Sequence, residues 1–329
     1  MAEVIRRAKP AKPKPEAEKP KVPIGLLLPR DFRVPEENKG LLQGFGVTGA
    51  IAVVVLVILG FFAAKLPAPA STVVTAFLFL YVLAPFLYLI VRGSFETVAW
   101  KKLLSQPLPF PSERTNPQQI ATQISKLLWL PREIETILVP GKPALLTIGN
   151  TLIMTEGLYQ ATSDRDLQIL LLHEITHTFA GHTLLLPYAR AVPRGETNAI
   201  LRMIMATGLP LFSALEQWMV WCDVTADRFV LLVKMSVDQA ILGVIKETTL
   251  MSPDSESRRH LLRFLIDADG IVDRGEQFMI TTEINSLLHA HPEAETRIAN
   301  IRVWREAEAF NEAAKLLRES VEKRSEAGA

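Results

Sequence analysis

The sequence predicts a mainly α chain with a small β-sheet, an α+β arrangement in which a two-span transmembrane helical hairpin precedes a larger helical domain. Three observations carry this expectation. Two long stretches near the start hold no charged residue, and a later run from Leu167 is apolar nearly all round, as an internal helix is. Just before that run lie short apolar and β-branched segments separated by Pro140-Gly141 and Gly149-Asn150. Of 329 residues 49% are hydrophobic, and the mean hydropathy is +0.21, values that suit a globular protein attached to a membrane. A formal net charge of +1 offers no global basic surface, so nucleic acid is not expected as a partner. The single cysteine, Cys222, excludes an internal disulfide and fits a reducing compartment. Any metal must then be held by His, Asp or Glu.

The first 40 residues carry seven prolines, ten Lys or Arg and six Asp or Glu, without apolar periodicity. Residues 1–39 are therefore expected to form a disordered Lys/Pro-rich cytoplasmic tail. A polybasic contact with anionic lipid and a simply solvated tail are both open readings of it. It is no signal peptide, since the apolar stretch that follows starts too late and is too long. Residues 40–92 form the hairpin, with spans at about 42–64 and 71–91, each longer than the roughly 20 residues needed to cross the hydrocarbon core. Lys65-Leu66-Pro67-Ala68-Pro69 makes the turn. Basic residues cluster outside the spans, with Arg30, Arg33 and Lys39 before and Arg92, Lys101 and Lys102 after, while the turn offers only Lys65. The positive-inside rule then puts both termini and everything after residue 92 in the cytoplasm.

Residues 93–117, with Pro107, Pro109, Pro111 and Pro117, read as a linker, and 118–329 as the main domain. Within it Gln118–Leu130 has helical spacing. Strands are expected at Ile134–Val139, Ala144–Ile148 and Leu152–Thr155, the last two joined by a tight Gly149-Asn150 hairpin. An edge strand there can bind an extended peptide, or it can be plain structure. Residues 199–215 are too short and too interrupted for a third span and suit a helix lying against the membrane or the domain. Helices follow from Phe212 to Met235 and from Ser236 to about Lys246. Asp267-Ala268-Asp269-Gly270 lacks the later ligands of a calcium loop and reads as a turn. Glu293–Lys323 reads as a surface helix or helix pair.

The chemistry centres on His173-Glu174-Ile175-Thr176-His177. Residues four apart share a helical face, so His173 and His177 can put two imidazole nitrogens on one metal with Glu174 beside it, as in zinc peptidases. Ser163 and Asp166 form a capping box for this helix, and its apolar flanks imply burial, where two histidines and a carboxylate are costly unless satisfied. A hydrolytic zinc wants three protein ligands and an open position. Asp223 and Asp227, four apart, are the candidates, with Asp223 as ligand and Asp227 bonded to a ligating histidine. The alternative makes them exposed carboxylates paired with Arg228 or Lys234.

These motifs resemble those of membrane-anchored zinc metallopeptidases of the HtpX and CAAX prenyl protease type. The matching residues are His173, Glu174 and His177; Asp223, Ala226 and Asp227; His291-Pro292 with Arg297; and the Leu152–Leu158 strand and turn. The resemblance implies a zincin-like metallopeptidase domain over 118–329, one zinc ion on His173, His177 and Asp223, and an integral protein of a bacterial cell membrane. It implies endopeptidase activity on misfolded or regulated membrane proteins, with metal-activated water and Glu174 as general base. His291 and Arg297 would contact the tetrahedral intermediate or brace Asp227, unless His291-Pro292 is only a capping turn. The family carries glutamate as third ligand. Asp223 is one methylene shorter, so its helix must approach closer by ~1.5 Å. That substitution motivates the alternative of an inactive pseudoprotease acting as a membrane scaffold. Retention of Glu174 speaks against it, and an absence of intramembrane charge speaks against a transporter. His182, His260 and His289 have no matching role and read as surface or core histidines.

Overall fold

The computed structural model describes residues 27–192 apart from Gln106, Glu113, Trp129 and Pro131, together with 206–250 and 291–327. The expected turn at Asp267–Gly270, His260 and His289 lie outside the described residues.

Helices α1 (Glu36–Ala63) and α2 (Ala68–Leu103) are each long and apolar enough to cross a membrane. Leu42, Val53, Val57, Phe61 and Phe62 on α1 and Val73, Phe77 and Leu80 on α2 are exposed, the kind of apolar surface that marks a membrane or protein contact. Both helices overrun the expected boundaries. α1 starts inside the expected tail, and a short helical turn at Pro29–Asp31 precedes it. Phe32 anchors this segment, its ring 5.2 Å from that of Phe229 and 6.0 Å from that of Phe179. Burying one such side chain contributes about 1.5–3 kcal/mol, which a purely compositional reading of a charged tail misses. α2 continues through residues 93–103 of the expected linker, because no breaker intervenes before Pro107. Its end packs Trp100, with Leu104 just beyond it, against Val139, Leu146 and Ile153 of the sheet.

Beyond α2 comes α3 (Pro117–Leu127), started by Asn116, whose side chain accepts from the Gln118 N–H at 2.9 Å. Strands β1 (Glu135–Val139), β2 (Leu145–Ile148) and β3 (Thr151–Thr155) form one sheet in the order β1-β3-β2. β2 and β3 make the expected hairpin, with Gly149 at φ +59° in its turn. β1 instead runs parallel to β3, Glu135 facing Thr151, which leaves β2 at an edge of the sheet.

After α4 (Glu156–Ala161) comes α5 (Asp164–Ala180), the central helix. Its capping box forms as expected, with the Ser163 hydroxyl accepting from the Asp166 N–H and Asp166 accepting from the Ser163 N–H, both at 3.2 Å. Gly181, at φ +81°, terminates it. Leu167, Leu171 and Ile175 are fully buried. α6 (Leu186–Arg190), α7 (Leu209–Lys234), α8 (Val237–Leu250), α9 (Pro292–Glu306) and α10 (Glu308–Ala327) complete the described fold. The last two are the expected pair, but not merely a surface one. α9 buries Ala294, Ile298, Ile301 and Trp304 at helical spacing, and α10 buries Phe310, Ala313 and Ala314. On α8 the amine of Lys246 pairs with Asp166, tying that helix to the head of α5.

The described part of 199–215 lies against the hairpin. An added Cβ on Gly208 would fall 2.4 Å from Pro85 of α2, and one on Gly44 of α1 would fall 2.1 Å from Cβ of Ala214. Glu37, Leu41, Gly44 and Thr48 form the buried stripe of α1, at the 4-3-4 spacing of a packed helix face. The α1–α7 pair is the most extensive helix contact in the described structure.

Candidate metal centre

His173 and His177 stand one turn apart on α5, both buried, and α7 crosses so that Asp223 faces them. Nε2 of His173 and Nε2 of His177 are 3.2 Å apart. Oδ1 of Asp223 lies 3.5 Å from the latter and 3.8 Å from the former. A metal with ligand bonds of about 2.0–2.2 Å in tetrahedral geometry separates its ligand atoms by about 3.3–3.6 Å. The three edges bracket that range, so the shorter side chain of Asp223 does reach. The donor set is also one that could hold a cation. Each imidazole has its Nδ1 engaged elsewhere, which turns two Nε2 atoms and a carboxylate oxygen toward one point.

Those engagements differ. Nδ1 of His173 is 2.9 Å from Oδ1 of Asp227. Arg297 donates to both oxygens of Asp227, from Nε at 2.7 Å and from Nη2 at 2.9 Å, and Nη2 also donates to Glu247 at 2.7 Å. Burial works to raise the pKa of Asp227, but the charge of Arg297 overcomes it and holds the carboxyl at about 2. Burial likewise opposes charge on His173, yet the carboxylates of Glu247, Asp223 and Asp227 keep its pKa well above the usual imidazole value. His177 is displaced the other way, by burial and then by neighbouring positive charge. Its Nδ1 lies 2.9 Å from Nδ1 of His182, whose Nε2 lies 3.0 Å from Oε1 of Glu37.

Glu174 borders a cavity of about 210 Å³ that is also lined by His173, Asp223, Arg190, His291 and the Pro143–Leu145 approach to β2. The Thr147 hydroxyl on β2 lies 3.3 Å from Oε2 of Glu174, and Nη2 of Arg190 lies 3.9 Å from Oε1. Burial raises the pKa of Glu174, so its carboxylate has more than ordinary affinity for a proton.

The expected site residues are thus brought together. Of the two roles open to Arg297, it takes the bracing of Asp227; its Nη1 is 4.0 Å from Oδ2 of Asp223. His291 is the N-cap residue of α9 but makes no capping bond with its side chain, and it lines the cavity. The alternative pairing of the aspartates with Arg228 or Lys234 does not form. Arg228 lies over the Trp304 ring at 5.2 Å, and Lys234 donates to Gln168 at 3.4 Å. His182 is a core histidine, as one of the two readings had it, and it also contacts a candidate ligand. Sequence reasoning missed Glu37, Glu247, Arg190 and Thr147. His182 had the signal of lying five residues after His177, whereas Glu37 and Glu247 have no local signal at all.

Comparison with known protein families and with curated proteins found no match to this chain.

Proposed function

We propose that this chain is a membrane-anchored zinc-dependent endopeptidase with a zincin-like domain of the HtpX and CAAX prenyl protease type. The observation that carries the reading is the convergence of His173 Nε2, His177 Nε2 and Asp223 Oδ1 at metal-ligand separations beside a cavity bordered by Glu174. His173, His177 and Asp223 would hold one zinc ion. A zinc ion bound there supplies Lewis acidity, lowering the pKa of water and offsetting charge that develops on the peptide oxygen.

The chain's own groups supply the rest. Glu174, steadied by Thr147 and kept basic by burial, takes the proton from attacking water and returns it to the leaving amine. β2 is the edge strand beside the cavity, so an extended substrate can add to it through backbone hydrogen bonds. Arg190 and His291 face the same space and are suited to contact substrate carbonyl or carboxylate oxygen. In this reading α1 and α2 span the bilayer, and the charge pattern keeps both termini and the peptidase domain cytoplasmic. Substrates are proteins or peptides presented at that face. The scaffold alternative rests on the short side chain of Asp223; the 3.5 and 3.8 Å from its Oδ1 to the two imidazoles, with Glu174 retained, favour the peptidase reading.

The test is metal analysis of the purified protein, with casein cleavage compared between parent and Glu174→Gln. One zinc per chain and a rate loss of at least about 100-fold in the variant are expected. Equal rates would exclude catalysis by this site.

A further inference from the structure

On the His177 side a line of buried polar groups leads away from the cavity and ends at the head of α1. Once Nε2 of His177 faces a metal, its Nδ1 carries the hydrogen, as in any neutral imidazole ligand. Among the described residues that N–H meets Nδ1 of His182, 2.9 Å away, and donates to it. His182 then bears its hydrogen on Nε2 and donates it to Oε1 of Glu37 at 3.0 Å. Each link has one donor and one acceptor, so the proton arrangement of the whole line is fixed by the metal. Resting on the reading of His173, His177 and Asp223 as ligands, we infer that Glu37 and His182 are positioning residues for His177, making the head of the first membrane-capable helix part of the metal centre.

Glu37 is built for the task. It is 1% exposed, and a buried carboxylate persists only where donors satisfy it. The Thr225 hydroxyl of α7 donates to Oε2 at 2.7 Å, and Nε of Arg33 lies 3.2 Å from Oε1. Glu37 also occupies the first turn of α1, where unpaired backbone N–H groups favour negative charge. Arg33 donates in addition to the Ala180 carbonyl at the end of α5, so one guanidinium joins the carboxylate to the helix that bears both histidines.

Glu37, His182 and Cys222 also lie close enough to serve as a second set of ligands. The line of hydrogen bonds explains them better. Glu37 and His182 already satisfy each other, and burial pushes the Cys222 thiol up, which keeps it protonated.

The experiment uses the full-length protein in detergent, stripped of metal and titrated with zinc against a chromophoric chelator, and the absorption spectrum of its cobalt form. Glu37→Gln and His182→Ala are expected to weaken zinc binding by roughly 10- to 100-fold and to shift the cobalt bands. His182→Asn, whose side-chain oxygen can accept where Nδ1 stood, recovers part of the loss. If Glu37→Gln does not fold, Thr225→Val removes one donor to the same carboxylate and is expected to weaken binding by about threefold. Unchanged affinity and unchanged cobalt spectra across these variants would overturn the inference. So would two zinc ions per chain with one lost in Cys222→Ala, which would make this a separate site. A parent protein that binds no metal overturns the ligand reading itself, an outcome separate from the others.

Discussion

The two histidines of α5 are held in contrasting ways. His173 leans directly on a carboxylate, Asp227, clamped by both prongs of Arg297, and Arg297 is in turn held by Glu247. All of these groups belong to α7, α8 and α9, the interior of the domain. His177 leans on a second imidazole, and only through it on Glu37 from α1. The contrast teaches that the strength of a ligand's support and the region it comes from are set independently. One support is short, charged and internal; the other is longer, starts with an uncharged link and crosses to the pair of long apolar helices.

The comparison can be broken most severely at Arg297. Arg297→Ala leaves Asp227 and Glu247 without their cation in a buried setting, a loss of about 3–5 kcal/mol, to be measured by denaturant unfolding of the metal-free protein. Arg297→Lys keeps charge but loses the two-pronged geometry, and should fall between that variant and the parent. Next is Asp227→Asn, which preserves shape but lowers the basicity of His173. Zinc affinity, read by chelator competition, should drop by roughly 100-fold, more than for Glu37→Gln, because the carboxylate it removes touches the ligand directly. Equal losses for the two would erase the asymmetry.

A smaller effect is expected at the α1–α7 crossing, which sets the reach of Glu37 without touching it. Gly44→Ala puts a methyl group where Ala214 already stands, an overpacking cost of about 1–3 kcal/mol. Zinc affinity should fall with no change at His173, and the double variant Gly44→Ala/Ala214→Gly should recover it. The mildest is a control. Met235 ends α7 at φ 55° and is exposed, so Met235→Gly relieves left-handed strain. It should raise stability by about 0.5–1 kcal/mol, seen in the melting temperature, while zinc affinity stays unchanged.

What was legible in the sequence follows from how locally each feature is encoded. The α5 capping box, the His-Glu-x-x-His face, the Asp223/Asp227 spacing and the β2–β3 hairpin all depend on residues within one element or turn. Arg297 carried a hint of bracing Asp227, but choosing between that and a substrate contact needed a pairing across 70 residues. Glu37 looked like one charge among many in a proline-rich segment. Its burial depends on Phe32 and Val34 folding back onto the domain and on Thr225 arriving from α7. The parallel β1–β3 pairing was equally hidden, since the strand patterns alone do not say which neighbour each strand takes.

The bond between His182 and Glu37 joins residues 145 positions apart. Glu37 lies in the first turn of the first apolar helix, and His182 follows both. The brace on His177 therefore needs both apolar helices to be in the chain, and the Thr225 hydroxyl of α7 adds to it. Under the proposed reading, removing the head of α1 would loosen the hold on zinc although all three ligand residues lie beyond both apolar helices.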